Sequence, residues 1–207
     1  MIHRTFLRTL ALAAAASLAA AGPALAHPGH LPADVTGNGL VAGFLHPFTG
    51  LGHLLTMLAV GAWAWRLGRD GNAERGSSWL VMAAFPAAML LGAALWTGGI
   101  ALPALSSILA LSVIALGVVL ATGLRVPAVA AAALVGLFAV FHGYAHATAI
   151  PAAANPATFA LGFVAATALL QVAGFAAASL LGRGSVAPVR YAGTAVAACG
   201  ALLMAAA

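Results

Sequence analysis

The chain has no lysine, only three acidic residues (Asp34, Asp70 and Glu74) and a single cysteine, Cys199. So little charge excludes an ordinary soluble domain, in which about a quarter of residues are charged. Here the charged fraction is 5%, against 64% hydrophobic residues and a mean hydropathy of +1.09. One cysteine cannot form an internal disulfide, and within its apolar run it is expected to pack as a small hydrophobe. None of the three acids falls inside an apolar segment. Paired-carboxylate catalysis and carboxylate proton relays therefore have no residues to use within a membrane. There is no hydrolase elbow, phosphate loop or dinucleotide fingerprint in a strand–helix context, and the protein is not expected to be an enzyme. The eight arginines give a formal charge of +5, but they are scattered singly or in small groups. They form no basic stripe for nucleic acid.

What the chain has is apolar length. Arg4 and Arg8 precede a short apolar stretch that ends at Gly22-Pro23, followed by the small-x-small triplet Ala24-Leu25-Ala26. This is the pattern of a signal peptide over residues 1–26, too short in its apolar part for a retained membrane helix. A short external segment, 27–38, follows, and then a transmembrane domain, 39–207. Six apolar segments divide it, at 39–65, 78–97, 102–121, 127–146, 158–181 and 191–207. A bilayer offers the backbone no water, so runs of ~20 apolar residues span it as helices. The expected fold is all-α: a polytopic integral membrane protein of six transmembrane helices after a cleaved signal peptide.

The arginines test that topology independently. Signal cleavage places residue 27 outside, so the first, third and fifth loops are cytoplasmic. Those loops carry Arg66, Arg69 and Arg75, then Arg125, then Arg183 and Arg190, while the second and fourth loops are uncharged. This is the asymmetry of the positive-inside rule. It predicts a bacterial inner-membrane protein with both termini on the periplasmic side.

Within the spans, histidine is the only ionisable group positioned for ligand chemistry. His46 and His53 lie in the first span, in HPFTGLGH, and His142 and His146 end the fourth, in FHGYAH. Residues seven or four apart share a helix face, and seven residues advance ~10 Å along an ideal helix. Pro47 and Gly50 can loosen the first turn and shorten that distance. The first span enters from outside and the fourth exits there, so all four imidazoles are expected at one depth. A lone intramembrane histidine usually bonds a neighbouring helix. Four together point to a metal ion, since imidazole ligates zinc, nickel, copper and cobalt, or to one bis-histidine haem. Met57, Met82 and Met89 are candidate thioether ligands or core residues. Gln171 is expected to bond another helix rather than line a path. At the new N-terminus, the free amine of His27 and the nearby imidazole of His30 form a second candidate metal-capture group.

At these residues the chain resembles the HupE/UreJ family of membrane proteins. The likeness is sharpest in His46-Pro47-Phe48-Thr49-Gly50-Leu51-Gly52-His53-Leu54-Leu55 and Phe141-His142-Gly143-Tyr144-Ala145-His146, and extends to the signal peptide, the His-Pro-Gly-His start and the six spans. The resemblance implies a nickel permease or metal-delivery protein that works with hydrogenase or urease maturation proteins, with His46, His53, His142 and His146 as matching candidates. The family pattern has aspartate where this chain has Gly52 and glutamate where it has Ala149. Losing both acids leaves a dication uncompensated among neutral imidazoles and opens the choice of cargo to copper, cobalt or zinc. The alternatives are a membrane accessory or sensor that binds metal without transporting it, and a haem-binding electron-transfer subunit. Three spans in each half, oppositely oriented, would match an inverted repeat with the histidine pairs in corresponding helices. The mature chain is expected to begin at His27. Intact mass and N-terminal sequencing of membrane-extracted protein should show loss of residues 1–26, and a retained Met1 would add a helix and reverse the inferred sidedness.

Overall fold

A computed structural model describes residues 38–69, 77–152 and 154–207. The expected signal peptide lies outside the described residues, as do His27 and His30. Among the described residues all regular structure is helical. The elements are α1 (Gly39–Leu45), a 3₁₀ turn (His46–Phe48), α2 (Leu51–Arg69), α3 (Ser77–Thr97), α4 (Leu105–Thr122), α5 (Ala128–Thr148), α6 (Pro156–Leu181) and α7 (Ala187–Ala205). Five of them, α3 to α7, are long and apolar enough to cross a membrane, as a multi-pass membrane protein requires. Large apolar side chains such as Trp79, Leu91, Val129, Leu137 and Leu161 cover their outer faces.

The helix ends follow local chemistry. Asn155 caps α6 by accepting from the Ala157 and Thr158 amides at 3.0 and 3.2 Å, and Pro156 fills the first turn, where no donor is missed. Gly123 ends α4 in the left-handed conformation, φ 69°, its amide donating to the Val119 carbonyl.

The first span departs from expectation. Instead of one helix over 39–65, α1 and α2 meet at a bend of 82°. Pro47 has no amide hydrogen, so the helical ladder cannot continue through it. The chain tightens into the 3₁₀ turn, and the His46 carbonyl accepts both the Thr49 amide at 3.0 Å and the Thr49 hydroxyl at 2.7 Å. Gly50 then opens α2 by accepting from the Leu54 amide at 3.0 Å. Counted together, the bent pair makes a sixth span.

Helices associate in three principal pairs, α2 with α6, α3 with α5 and α4 with α7, while α1 packs on the first turns of α6. Without a hydrophobic drive between helices in lipid, close association needs small residues that let backbones touch. Gly61 faces the Gln171 carbonyl and Gly174 faces that of Leu58, a reciprocal contact between α2 and α6. Gly92 and Gly143 make the same reciprocal contact between α3 and α5, against Val140 and Met89. Contacts spaced further apart give the directions: Leu58 lies by Gly174 and Trp65 by Gly182, and Ala88 lies by Gly136 and Trp96 by Tyr144, so the helices of both pairs run parallel. Between α4 and α7 they run oppositely, Gly193 meeting residues 117–121 and Gly200 meeting Val113 and Ile114. Buried Cys199 lies beside this seam, packed as a small hydrophobe.

The described arginines gather at one end. Arg190 donates to the Ala121 carbonyl at 2.7 Å, the Arg66 guanidinium lies beside Gly123, and Trp65 lies against Gly182. Arg66, Arg69, Arg125, Arg183 and Arg190 therefore occupy the same end of the bundle. The backbone contact at Gly143 should be intolerant of any side chain. Gly143→Ala should lower stability by about 1–3 kcal/mol in detergent thermal unfolding. Gly184→Ala, where an added Cβ meets nothing within 4 Å, should leave the midpoint unchanged. Equal effects at the two positions would contradict the packing described.

Candidate functional site

The bend brings together what an unbroken helix would hold apart. His46 sits in the 3₁₀ turn and His53 in the first turn of α2, and their ring centroids are 6.5 Å apart. His142 and His146 face them from the last two turns of α5. The centroids of His53 and His146 are 4.2 Å apart, those of His46 and His146 are 4.9 Å apart, and those of His53 and His142 are 5.1 Å apart. The rings of all four histidines thus lie within a few ångströms of one another, His46 approaching the others across the bend and not along a helix face.

Three of them are close enough to share an ion. One ring nitrogen from each of His53, His142 and His146 lies within 4.8 Å of the other two. Nitrogens bound at about 2.0–2.1 Å to a zinc-sized ion lie about 3.3–4.2 Å apart, so closure needs a movement of less than about 1.5 Å. His46 stands beside this trio as a fourth candidate. His46, His142 and His146 are buried, and Phe159 and Phe163 of α6 wall the cluster.

The hydrogen bonding of the cluster is uneven. His53 Nδ1 and His142 Nδ1 are 3.0 Å apart, and His142 Nε2 is 2.9 Å from the Ser112 hydroxyl on α4. Both nitrogens of His146 are buried and have no partner. A buried polar group left without a partner costs about 1–3 kcal/mol, so His146 is held in a place that its own folding energetics disfavour. A histidine whose role was to tie helices together would bond one. Gln171, expected to bond a neighbouring helix, is buried with its amide nitrogen unpartnered, and Thr167 one turn above it on α6 is likewise unpartnered. Met57 and Met89 belong to the apolar core, and Met82 is also buried.

A cavity of about 480 Å³ reaches the cluster from the end of the bundle opposite the arginines. His46, Thr49, Gly52, His53, Leu109 and Ala149 help to line it. A Cβ at Gly52 would touch only Leu203, at 3.4 Å, so the position has room for a side chain. The two positions where the family pattern carries acids thus border the same cavity as two of the histidines. A family profile described as "HupE / UreJ protein" matches residues 14–203. The chain belongs to the HupE/UreJ family. Among its relatives, Protein HupE of Rhizobium leguminosarum bv. viciae is 43% identical over 176 residues, covering 84% of this chain and 89% of that protein. No solved structure matches.

The residues that histidine spacing did not reveal are Ser112, Thr56 and Phe163. The signal for Ser112 was present, as a hydroxyl in the middle of the apolar run LSVIAL. The unequal bonding makes a prediction about the metal-free protein. His146→Leu should preserve or raise thermal stability, because it removes two unpartnered nitrogens. His142→Leu should lower it by about 1–3 kcal/mol, because it takes from His53 its hydrogen-bond partner. Unfolding midpoints in detergent without metal check both, and the reverse order would refute the assignment of partners.

Proposed function

We propose that this protein is a transition-metal permease of the bacterial inner membrane, with a four-histidine site formed by His46, His53, His142 and His146. The observation that carries the reading is a buried imidazole cluster, with two ring nitrogens unpartnered, at the base of an open cavity. Transition-metal ions are the ligands that such nitrogens suit. A porphyrin would need a flat slot between its two axial rings, whereas these rings lie against one another, which favours a bare ion over haem. The family resemblance adds nickel as the cargo and hydrogenase or urease maturation as its destination.

The bent α1–α2 pair serves in this reading as the first of six spans, which gives the helix directions found in all three pairs. The arginine-bearing end is then cytoplasmic by the positive-inside rule, and the cavity opens to the periplasm. Metal enters from there, directly or after capture by His27 and His30. Below the cluster, Phe163, Thr167 and Gln171 follow one face of α6 at intervals of four residues. The buried, unpartnered atoms of Thr167 and Gln171 are, in this reading, the groups an ion moving on towards the cytoplasm would meet.

Gly52 and Ala149 favour a second cargo. Four neutral ligands leave the charge of a dication uncompensated in a medium where charge is costly, and a monovalent ion such as copper(I) halves it. Metal analysis and titration of the purified protein, beside a variant with all four histidines changed to alanine, test the site. The parent should retain metal and the variant should lose it, together with uptake in cells. Gly52→Asp combined with Ala149→Glu should tighten nickel binding about tenfold, or ~1.4 kcal/mol. Equal metal retention by the parent and the histidine-free variant would refute the reading.

A further inference from the structure

Helix α4 supplies none of the four histidines, yet it touches the cluster through one fully buried side chain, Ser112. Its hydroxyl oxygen is 2.6 Å from the Leu109 carbonyl, 2.9 Å from His142 Nε2 and 3.5 Å from the Thr56 hydroxyl. A hydroxyl has one hydrogen to give and can accept as well. The Leu109 carbonyl can only accept, and two oxygens 2.6 Å apart without a hydrogen between them would repel. The hydrogen of Ser112 therefore lies on the Leu109 contact, whose length is typical of an O–H···O bond. Thr56 is committed in the same way, donating to the Gly52 carbonyl at 2.8 Å. Towards His142, then, Ser112 is an acceptor, and Nε2 must carry the hydrogen.

A neutral imidazole with hydrogen on Nε2 presents its lone pair at Nδ1. That is the atom 3.0 Å from His53 Nδ1. Two facing lone pairs would repel, so in the metal-free protein His53 supplies the hydrogen of this contact. We propose that Ser112 is a positioning residue that holds His142 in the Nε2–H form, so that Nδ1 is its metal-binding atom. The proposal rests on the metal-site reading above and extends it to a third helix. A cation arriving through the cavity takes the place of the hydrogen between the two Nδ1 atoms. His53 loses that hydrogen to solvent in the cavity and gains one at Nε2, so the pair stays neutral and no net proton is released. Because α4 is paired with α7, any movement of that pair reaches the site through Ser112.

The experiment is nitrogen-15 NMR of ring-labelled histidine in the full-length, metal-free protein, with His142 assigned from the signal lost in His142→Leu. The parent should show His142 with hydrogen on Nε2, Ser112→Ala should show a mixture of tautomers, and Ser112→Thr, which keeps the hydroxyl, should restore the parent pattern. Nickel titration of the same samples should show affinity about 10–100-fold weaker for Ser112→Ala, the usual effect of removing a group that orients a metal-ligating histidine. Hydrogen on Nδ1 of His142 in the parent would overturn the proposal, whatever the variants do. So would an alanine variant with the parent tautomer and unchanged affinity. A parent that binds no metal sinks the permease reading, while the tautomer measured without metal still decides whether Ser112 orients the ring.

Discussion

Pro47 cannot donate a backbone hydrogen bond, so the helical ladder loses the bond back to the Gly43 carbonyl and cannot run on through this position. The chain tightens there into a 3₁₀ turn closed by Thr49, whose amide and hydroxyl both bond the His46 carbonyl. Irregular backbone at membrane depth is tolerated where it lines a cavity or is buried in protein, and this turn does both. Everything distinctive about the site follows from the resulting bend. It turns His46 back towards His53, lays α1 on the start of α6 and leaves the cavity open beside the turn. An uninterrupted helix would have separated the two imidazoles by about 10 Å along its axis.

The three helix pairs carry a further regularity. If spans one to three correspond to spans four to six, the pairing of the first with the fifth becomes that of the fourth with the second. The pairing of the third with the sixth maps onto itself. The observed contacts have this arrangement, including parallel helices in the first two pairs and antiparallel helices in the third. Reciprocal glycine contacts recur in both related pairs, Gly61 with Gly174 and Gly92 with Gly143. Under that correspondence the histidine pairs would fall in corresponding helices, and in the fold they meet between α2 and α5. Identity between the halves was hidden in the sequence by the abundance of alanine, but contact geometry does not depend on side-chain identity in that way.

The cluster is unusual in having no acid. Its polarity comes from imidazoles and hydroxyls, and the hydroxyls of Ser112 and Thr56 give their hydrogens to their own helices. The cluster is therefore rich in lone pairs, with both buried nitrogens of His146 left without a partner. Gly52 and Ala149 border the cavity, so their lack of charge acts directly on whatever occupies it.

Much of this was legible in the residues because a bilayer leaves the backbone few choices. Apolar length alone located α3, α5 and α6 to within a few residues, and the arginines marked one end of the bundle before any contact was known. The four histidines stood out because no other ionisable side chain lies deep in the spans. What the sequence could not decide was anything that depends on the direction of a side chain in a helix apolar on every face. Periodicity carries no signal there, so the pairing of α2 with α6, the burial of the Gln171 amide nitrogen without a partner and the approach of Ser112 to His142 had to come from packing. The bend at Pro47 lies between these cases. Proline announced a disturbance, but only the folded protein, by setting α1 against α6 and Thr49 against the His46 carbonyl, decided that it would be an 82° turn beside the histidine cluster.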